Sequence, residues 1–304
     1  FGTLRLLPSG DEGSLILESS SARVYQELAA SRHMAKYLVP DGTEGYRFGI
    51  AVLHRGTVKQ ELLRLGWPVK DEAPLRDGDP LEVALRETAL SGAPLTIRDY
   101  QREAAGALVG DRGPGTGYGT IVLPCGSGKT VVGMQVMALL KTSTLILTTN
   151  VAAVHQWIEE LVDKTTLSRG DIGEYTGDAK EIRPVTVATY QIVTWRPEKD
   201  GEFPHFRLFR ERAWGLIVYD EVHLLPAPVF RVTAEIQTIR RLGLTATLVR
   251  EEGREGDVFS LVGPKRYDVP WKDLEGQGWI ATAVCTEVRV DLAPALEVEY
   301  AVAG

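Results

Sequence analysis

Short apolar runs, each closed by a polar or glycine-rich turn, set the pattern of this chain. Thr120-Ile121-Val122-Leu123 is one such run, and a glycine-rich stretch followed by the helical pattern Val131 to Leu140 makes the unit strand, loop, helix. Trp214 to Tyr219 is a second run. It reads as a buried parallel strand that delivers Asp220 and Glu221 at its carboxyl end. A third ends at Leu244-Thr245-Ala246-Thr247. The first seventy-two residues carry a different pattern: strand-like Gly13 to Glu18, helical Ala22 to Tyr37, strand-like Tyr46 to Leu53 and helical Gly56 to Gly66. That order predicts a small α/β module. Pro74, Gly78, Pro80, Gly92 and Pro94 mark residues 73–95 as a linker, with a short helix expected over Leu81 to Leu90. Val284 to Val290 reads as a further strand.

The chain has 304 residues, which suggests about two domains, and 44% hydrophobic with 25% charged residues fits a globular fold. No apolar run approaches the roughly eighteen residues that span a bilayer, and no signal peptide is recognisable. The cysteines, Cys125 and Cys285, form neither a disulfide framework nor a zinc pattern, and His33, His54, His155 and His205 share no metal-ligand spacing. The expected location is therefore the cytoplasm, in association with the nucleoid, or the nucleus if the source is eukaryotic. A net charge of −7 argues against a generally basic nucleic-acid coat. It leaves room for a local groove, with Arg231, Arg240, Arg241, Arg250, Arg254, Lys265 and Arg266 as candidate contributors.

The chemistry concentrates in two segments. In LPCGSGKT (123–130), glycines let the backbone turn tightly and aim successive N–H groups at phosphate oxygens, and the following helix starts with its positive end toward the anion. Lys129 is placed to hold the β- and γ-phosphates of ATP, and the Thr130 hydroxyl to coordinate Mg²⁺. Leu123 stands where the general pattern has its first glycine. About ninety residues on, Asp220-Glu221-Val222-His223 puts two adjacent carboxylates after a core strand, an arrangement that needs a cation or a hydrogen-bond network to be stable. Asp220 is the candidate Mg²⁺ ligand and Glu221 the base that orients the attacking water. The glycine-rich GDRGPGTGYG (110–119) has no Lys-Thr after it and reads as a flexible connector.

Taken in order, these residues resemble the DEAD/DEAH-like helicases of superfamily 2, and more narrowly the XPB family. The likeness is carried by Ile97-Arg98-Asp99-Tyr100-Gln101, LPCGSGKT, TLILTTN (144–150), QW (156–157), VTVATYQ (185–191), YDEVHLLPAPVFR (219–231), RRLGLTATLVRE (240–251) and GPKRYDVPWKDLEGQGWIA (263–281). It implies an α/β fold: a RecA-like doubly wound parallel sheet over 96–290, preceded by a small α/β domain over 1–72 that resembles a damage-recognition domain. Residues 291–304 would start the connection to a second RecA-like domain. The resemblance implies ATP contacts from Arg98, Gln101, Gly126, Ser127, Gly128, Lys129 and Thr130, with Gln101 reading adenine. Lys129, Asp220 and Glu221 would be catalytic, Thr130 and Asp220 would hold the metal, and His223, Thr245 and Thr247 would couple nucleotide state to movement. Thr149, Asn150 and Thr189 would touch the nucleic-acid backbone, where hydroxyl, amide and main-chain N–H groups meet phosphates without reading bases.

The resemblance also places Arg250-Glu251-Glu252 where XPB-like proteins carry an Arg-Glu-Asp triplet tied to strand separation and damage recognition; here the last carboxylate is one methylene longer. The implied activity is ATP-driven 3′→5′ DNA unwinding or translocation in DNA repair or transcription, by a monomer acting on forked or distorted duplex and single strands with a nuclease or transcription and repair partner. Without its second motor domain the chain is expected to hydrolyse ATP weakly or not at all. Two other readings stay open at this level: an ATP-controlled DNA-binding switch that melts DNA locally, and an RNA-remodelling ATPase.

Overall fold

The computed structural model describes residues 3–11, 13–42, 45–198, 203–226, 228–229, 236, 239–247, 258–259, 261–282 and 286–287. The Arg250-Glu251-Glu252 triplet, Arg231, Arg254, the connection 291–304 and most of the expected strand Val284 to Val290 lie outside the described residues.

The first module is a five-stranded sheet, β1 (Leu4–Pro8), β2 (Ser14–Ser19), β3 (Val39–Pro40), β4 (Tyr46–Ala51) and β5 (Val69–Asp71), in the order β3-β4-β2-β1-β5. All its pairs are antiparallel except β1 with β5. Alternate residues of β1, β2 and β4 point to one face, so Leu4, Leu6, Leu15, Leu17, Phe48 and Ile50 form a core. Helices α1 (Ala22–Ala30) and α2 (Arg55–Arg64) cover it with Val24, Leu28, Val58 and Leu62. The helix expected over Ala22 to Tyr37 stops earlier. Ser31 takes an extended backbone and its N–H returns to Leu28 O, so the chain continues in turns to Leu38 while still burying Met34.

The second unit is a seven-stranded, wholly parallel sheet: β6 (Tyr118–Val122), β7 (Thr144–Thr148), β8 (Ile172–Tyr175), β9 (Val185–Thr189), β10 (Leu216–Asp220), β11 (Arg240–Thr245) and β12 (Lys265–Asp268), in the order β12-β6-β11-β10-β7-β9-β8. Helices α3 (Asp99–Val109), α4 (Lys129–Leu140), α5 (Val151–Lys164), α6 (Tyr190–Thr194) and α7 (Trp271–Gly276) complete it. Its central strands are unbroken apolar runs because both faces are covered. Ile146, Leu216, Val218, Leu242 and Leu244 join the core under α3, α4 and α5, while Leu145, Leu147, Ile217 and Tyr219 join the core on the opposite face. This is the doubly wound α/β architecture that the sequence predicts, with the small α/β module ahead of it.

The linker departs from expectation. No helix forms over Leu81 to Leu90; the segment runs extended along the second unit. Its backbone finds partners there: Leu81 N–H donates to Lys141 O (3.0 Å), Arg86 N–H to Lys164 O (2.9 Å) and Leu90 N–H to Asp163 O (2.9 Å). Bonds to neighbouring elements thus replace the intrahelical ladder. The glycine-rich stretch 110–119, expected to be flexible, is also pinned. Gly117 N–H donates to Leu108 O (2.8 Å) and its carbonyl accepts from Arg241 N–H (3.0 Å).

Arg240, Arg241 and Arg266, expected as contributors to a nucleic-acid groove, instead lie in a cluster where the two units meet, together with Arg55, Lys59 and Asp71 of the first. Arg55, 1% exposed, holds Asp71 through Nε (3.1 Å) and Nη2 (2.8 Å) and also donates to the carbonyls of Ala73 and Pro74. Lys59 Nζ reaches the same carboxylate at 2.8 Å and lies 5.3 Å from the centre of the Tyr118 ring. Arg241 and Arg266 approach that ring too, each at 5.3 Å, so cation–π attraction gathers charges of both units around Tyr118. Burial lowers the Arg241 guanidinium to about 10, which leaves it charged at neutral pH. Arg240 is buried on Asp77 (2.8 Å) and the carbonyl of Arg76 (2.9 Å). Arg240 and Arg241 are therefore structural, and Lys265 is exposed but paired with Asp268.

Burial favours protonation of Asp71, yet Lys59 and Arg55 outweigh it and hold the carboxyl below its ordinary 3.8. The stability it contributes is present above that value and is lost as the pH falls through the lower, folded value. Asp71→Ala should cost about 3–5 kcal/mol, because it strands buried cations. Urea melts at neutral pH should show that loss, and the gap between variant and parent should narrow at the acid end.

Candidate nucleotide and nucleic-acid site

The site lies at the carboxyl edge of the parallel sheet, where open α/β sheets bind ligands. β6 runs into the loop Leu123 to Gly128 and α4 begins at Lys129. Gly126 (φ 77°) and Gly128 (φ 83°) are left-handed, and a Cβ on Gly128 would stand 2.6 Å from Gln101 Nε2. Glycine is required at Gly128 on both counts. The loop is braced from α3. Tyr100 Oη donates to Ser127 O at 2.6 Å and Gln101 Nε2 donates to the same carbonyl at 2.9 Å. Gln101 Oε1 accepts from Arg98 N at 3.0 Å, so this buried glutamine ties the start of α3 to the phosphate loop. Ser127 is itself buried, with its hydroxyl donated to Pro124 O (2.7 Å). Arg98 stacks on the Trp279 ring at 4.7 Å and donates to Tyr100 Oη at 2.9 Å.

Two strands away in the sheet, β10 delivers the acidic pair. Asp220 Oδ2 accepts from the Trp157 indole (2.8 Å) and the Thr148 hydroxyl (3.4 Å), and Oδ1 accepts from Glu221 N–H (3.1 Å). Tyr190 Oη donates to Asp220 O at 3.0 Å. Burial raises the Asp220 carboxyl above its ordinary range; the Trp157 hydrogen bond opposes that and the neighbouring Glu221 adds to it. Glu221 sits in the left-handed region (φ 49°, ψ 54°), a conformation that costs a non-glycine residue about 1–2 kcal/mol. The turn sends its side chain back across the edge, where Oε1 lies 3.2 Å from Lys129 Nζ.

Between them β11 ends at Thr245. Glu221 Oε2 is 3.5 Å from His223 Nδ1, which is 2.9 Å from Thr245 Oγ1, and that oxygen also accepts from Thr247 N–H at 3.2 Å. Lys129, Glu221, His223, Thr245 and Thr247 therefore form one connected line. The expected strand-contacting residues share this edge, at the ends of β7 and β9. Asn150 caps α5 by accepting from Ala153 N–H (2.9 Å), and its amide donates to Thr149 Oγ1 (3.2 Å). Thr189 is buried and its hydroxyl caps α6 by accepting from Ile192 N–H (3.2 Å).

A cleft of about 410 Å³ is lined by Gly126, Gly128, Lys129, Thr130, Asp220 and Glu221, together with Gln156, Trp157 and Glu160 of α5. These residues fit a magnesium nucleotide. Gly128 has no room for a side chain, Lys129 is a cation kept near a carboxylate, and the Thr130 hydroxyl and half-buried Asp220 carboxylate are the hard oxygen donors that Mg²⁺ takes. What the residue-level reading missed is the aromatic frame: Trp157 and Tyr190 on the acidic turn, Tyr100 beneath the loop. The strings QW, VTVATYQ and DYQ contain all three residues, but nothing in their spacing says which atoms they meet.

The region 94–250 matches the family described as "Type III restriction enzyme, res subunit". Over its whole length the chain is 49% identical to the DNA 3′-5′ helicase XPB of Mycobacterium tuberculosis, covering 53% of that protein. It is 50% identical to the protein of the same name from Kineococcus radiotolerans, covering 52%. Over 84% of the chain it is 33% identical to a Saccharomyces cerevisiae protein named general transcription and DNA repair factor IIH helicase/translocase subunit, covering 30% of it. The chain thus spans about half the length of the bacterial relatives. Among solved structures, the UvsW helicase of bacteriophage T4 superposes with a TM-score of 0.53 at 14% identity, over 87% of this chain and 99% of that one, a likeness of fold. The chain belongs to the family described as Type III restriction enzyme, res subunit, and over its whole length it is similar to about half of the proteins named DNA 3′-5′ helicase XPB.

Proposed function

We propose that this chain is the ATP-handling part of a 3′→5′ DNA helicase or translocase of the XPB type, acting in DNA repair or transcription. The observation that carries the reading is the line from Lys129 through Glu221 and His223 to Thr245 and Thr247, which joins the phosphate loop to the third strand end. The relatives named DNA 3′-5′ helicase supply the direction and the DNA substrate. The transcription and repair factor subunits among the relatives support a partner of that class. Among the described residues no helix is long and apolar enough to cross a membrane, and we place the protein with DNA in the cytoplasm, or the nucleus in a eukaryote.

Lys129 is neutralised by Glu221 as the structure stands. An arriving phosphate competes for that ammonium and releases Glu221 Oε1 to accept a proton from water, a role suited to a carboxylate beside the cleft. Gly126 and Gly128 would keep side chains away from the phosphates, and Thr130 and Asp220 would hold the metal. Bound Mg²⁺ would neutralise charge on the phosphate oxygens during transfer. Loss of the Glu221–Lys129 contact also frees Glu221 Oε2 and His223 to shift against Thr245. The nucleic-acid edge adjoins the neighbouring Asp220 instead, whose partners Thr148 and Tyr190 stand next to Thr149 and Thr189 in the chain. Gln101 and Arg98 brace the same loop from α3, Gln101 with both amide atoms bonded to Arg98 N–H and Ser127 O.

The test is ATP hydrolysis by the full-length protein, with and without forked DNA. Lys129→Ala should lower kcat by about 10²–10³, the usual cost of removing a charge-stabilising donor. Glu221→Gln should lower kcat by about 10²–10⁴ while nucleotide affinity is kept. Hydrolysis stimulated by DNA and lost in Lys129→Ala is the expected result. Binding of DNA without stimulation would sink the motor reading in favour of a switch, and preferential stimulation by RNA would overturn the substrate.

A further inference from the structure

We propose that Trp157 is a positioning residue that sets the separation of the two metal-side oxygens, Thr130 on α4 and Asp220 on β10. The inference rests on the reading of the cleft as a magnesium-nucleotide site. Trp157 is 2% exposed and spans the gap between the two elements. At one end its Nε1–H donates to Asp220 Oδ2 at 2.8 Å, the shortest hydrogen bond that carboxylate receives among the described residues. At the other end its six-membered ring lies on Gly133, one turn after Lys129. A Cβ at Gly133 would stand 2.7 Å from Trp157 Cη2. Glycine at that point lets a rigid indole reach from the phosphate-loop helix to the acidic strand end.

A hydroxyl or amide in this place could rotate away, whereas an indole wedged at its far edge holds its N–H in one direction. The Thr148 hydroxyl, at 3.4 Å, is too long to fix the carboxylate alone. With Oδ2 held by the indole and Oδ1 by Glu221 N–H, the plane of the carboxylate is set before any metal arrives. A purely structural tryptophan would contribute core packing and leave metal affinity unchanged.

The experiment measures ADP binding to the full-length protein by calorimetry, once with Mg²⁺ and once in EDTA, so that the ratio of affinities reports the metal alone. Trp157→Phe keeps an aromatic six-membered ring and removes the donor; it should cut that ratio about tenfold, the loss expected for a hydrogen bond to a charged acceptor. ADP affinity in EDTA should stay the same. Gly133→Ala keeps the indole and pushes it off α4, and should lower the ratio in the same direction, which secures the result if Trp157→Phe folds poorly. An unchanged ratio in both variants, with only thermal stability lowered, would overturn the proposal. So would parent protein that binds ADP equally well with and without Mg²⁺. Lys129→Ala separates the two readings: ADP binding that survives it sinks the nucleotide site itself, while binding lost there with an unchanged ratio in Trp157→Phe sinks only the role of Trp157.

Discussion

Lys129 and Glu221 neutralise each other across the carboxyl edge of the sheet, and the arrangement of the site follows from that pair. Both line the cleft and are partly exposed, Lys129 12% and Glu221 29%, so a phosphate arriving there can compete for the ammonium. Their side chains meet because β6 and β10 flank β11, which places the loop after β6 and the turn after β10 on either side of Thr245. Glu221 reaches the pair through a left-handed backbone, and His223 lies 3.5 Å from its second oxygen and meets Thr245 in turn. On the proposed reading, a ligand that takes the ammonium disturbs a whole line of contacts.

The same strands carry a second cluster at their other end. β6 begins at Tyr118 and β11 at Arg240-Arg241, where Arg55, Lys59 and Asp71 of the first module come in. Five or six residues of extended chain separate the two clusters, about 17–20 Å. The first module is thus fixed to the starts of the strands whose ends bear the phosphate loop and the third motif. Strands packed on both faces do not deform independently, so the two clusters share one rigid support. The basic residues here serve cohesion between units, which agrees with an overall charge of −7 and no need for a generally basic face.

Much was legible in advance because local physics decided it. The glycines of the phosphate loop, the apolar run before Asp220 and the alternation in β2 and β4 each state their own conformation. The elements that failed are those whose local signal competed with distant partners. Leu81 to Leu90 has a helical pattern, but the carbonyls of Lys141, Asp163 and Lys164 take its N–H groups and draw it out straight. Arg240 and Arg241 look like surface charges, yet a strand start beneath the first module buries them.

For the site, the sequence by itself determined which groups are present: a loop that only glycine can close, a lysine, a hydroxyl, two adjacent carboxylates and a histidine in a fixed order. Their chemistry and their place at strand ends follow from residue type and from apolar runs read along the chain. Tertiary structure decided which of them touch. Lys129, Glu221 and Thr245 are far apart in sequence and meet only because the strand order puts β11 between β6 and β10. The Trp157 indole on Asp220 and the Gln101 amide on Ser127 are likewise contacts between elements. Periodicity reports the face of a strand or helix that is buried, whereas pairing across a sheet depends on crossovers whose order the local pattern does not encode.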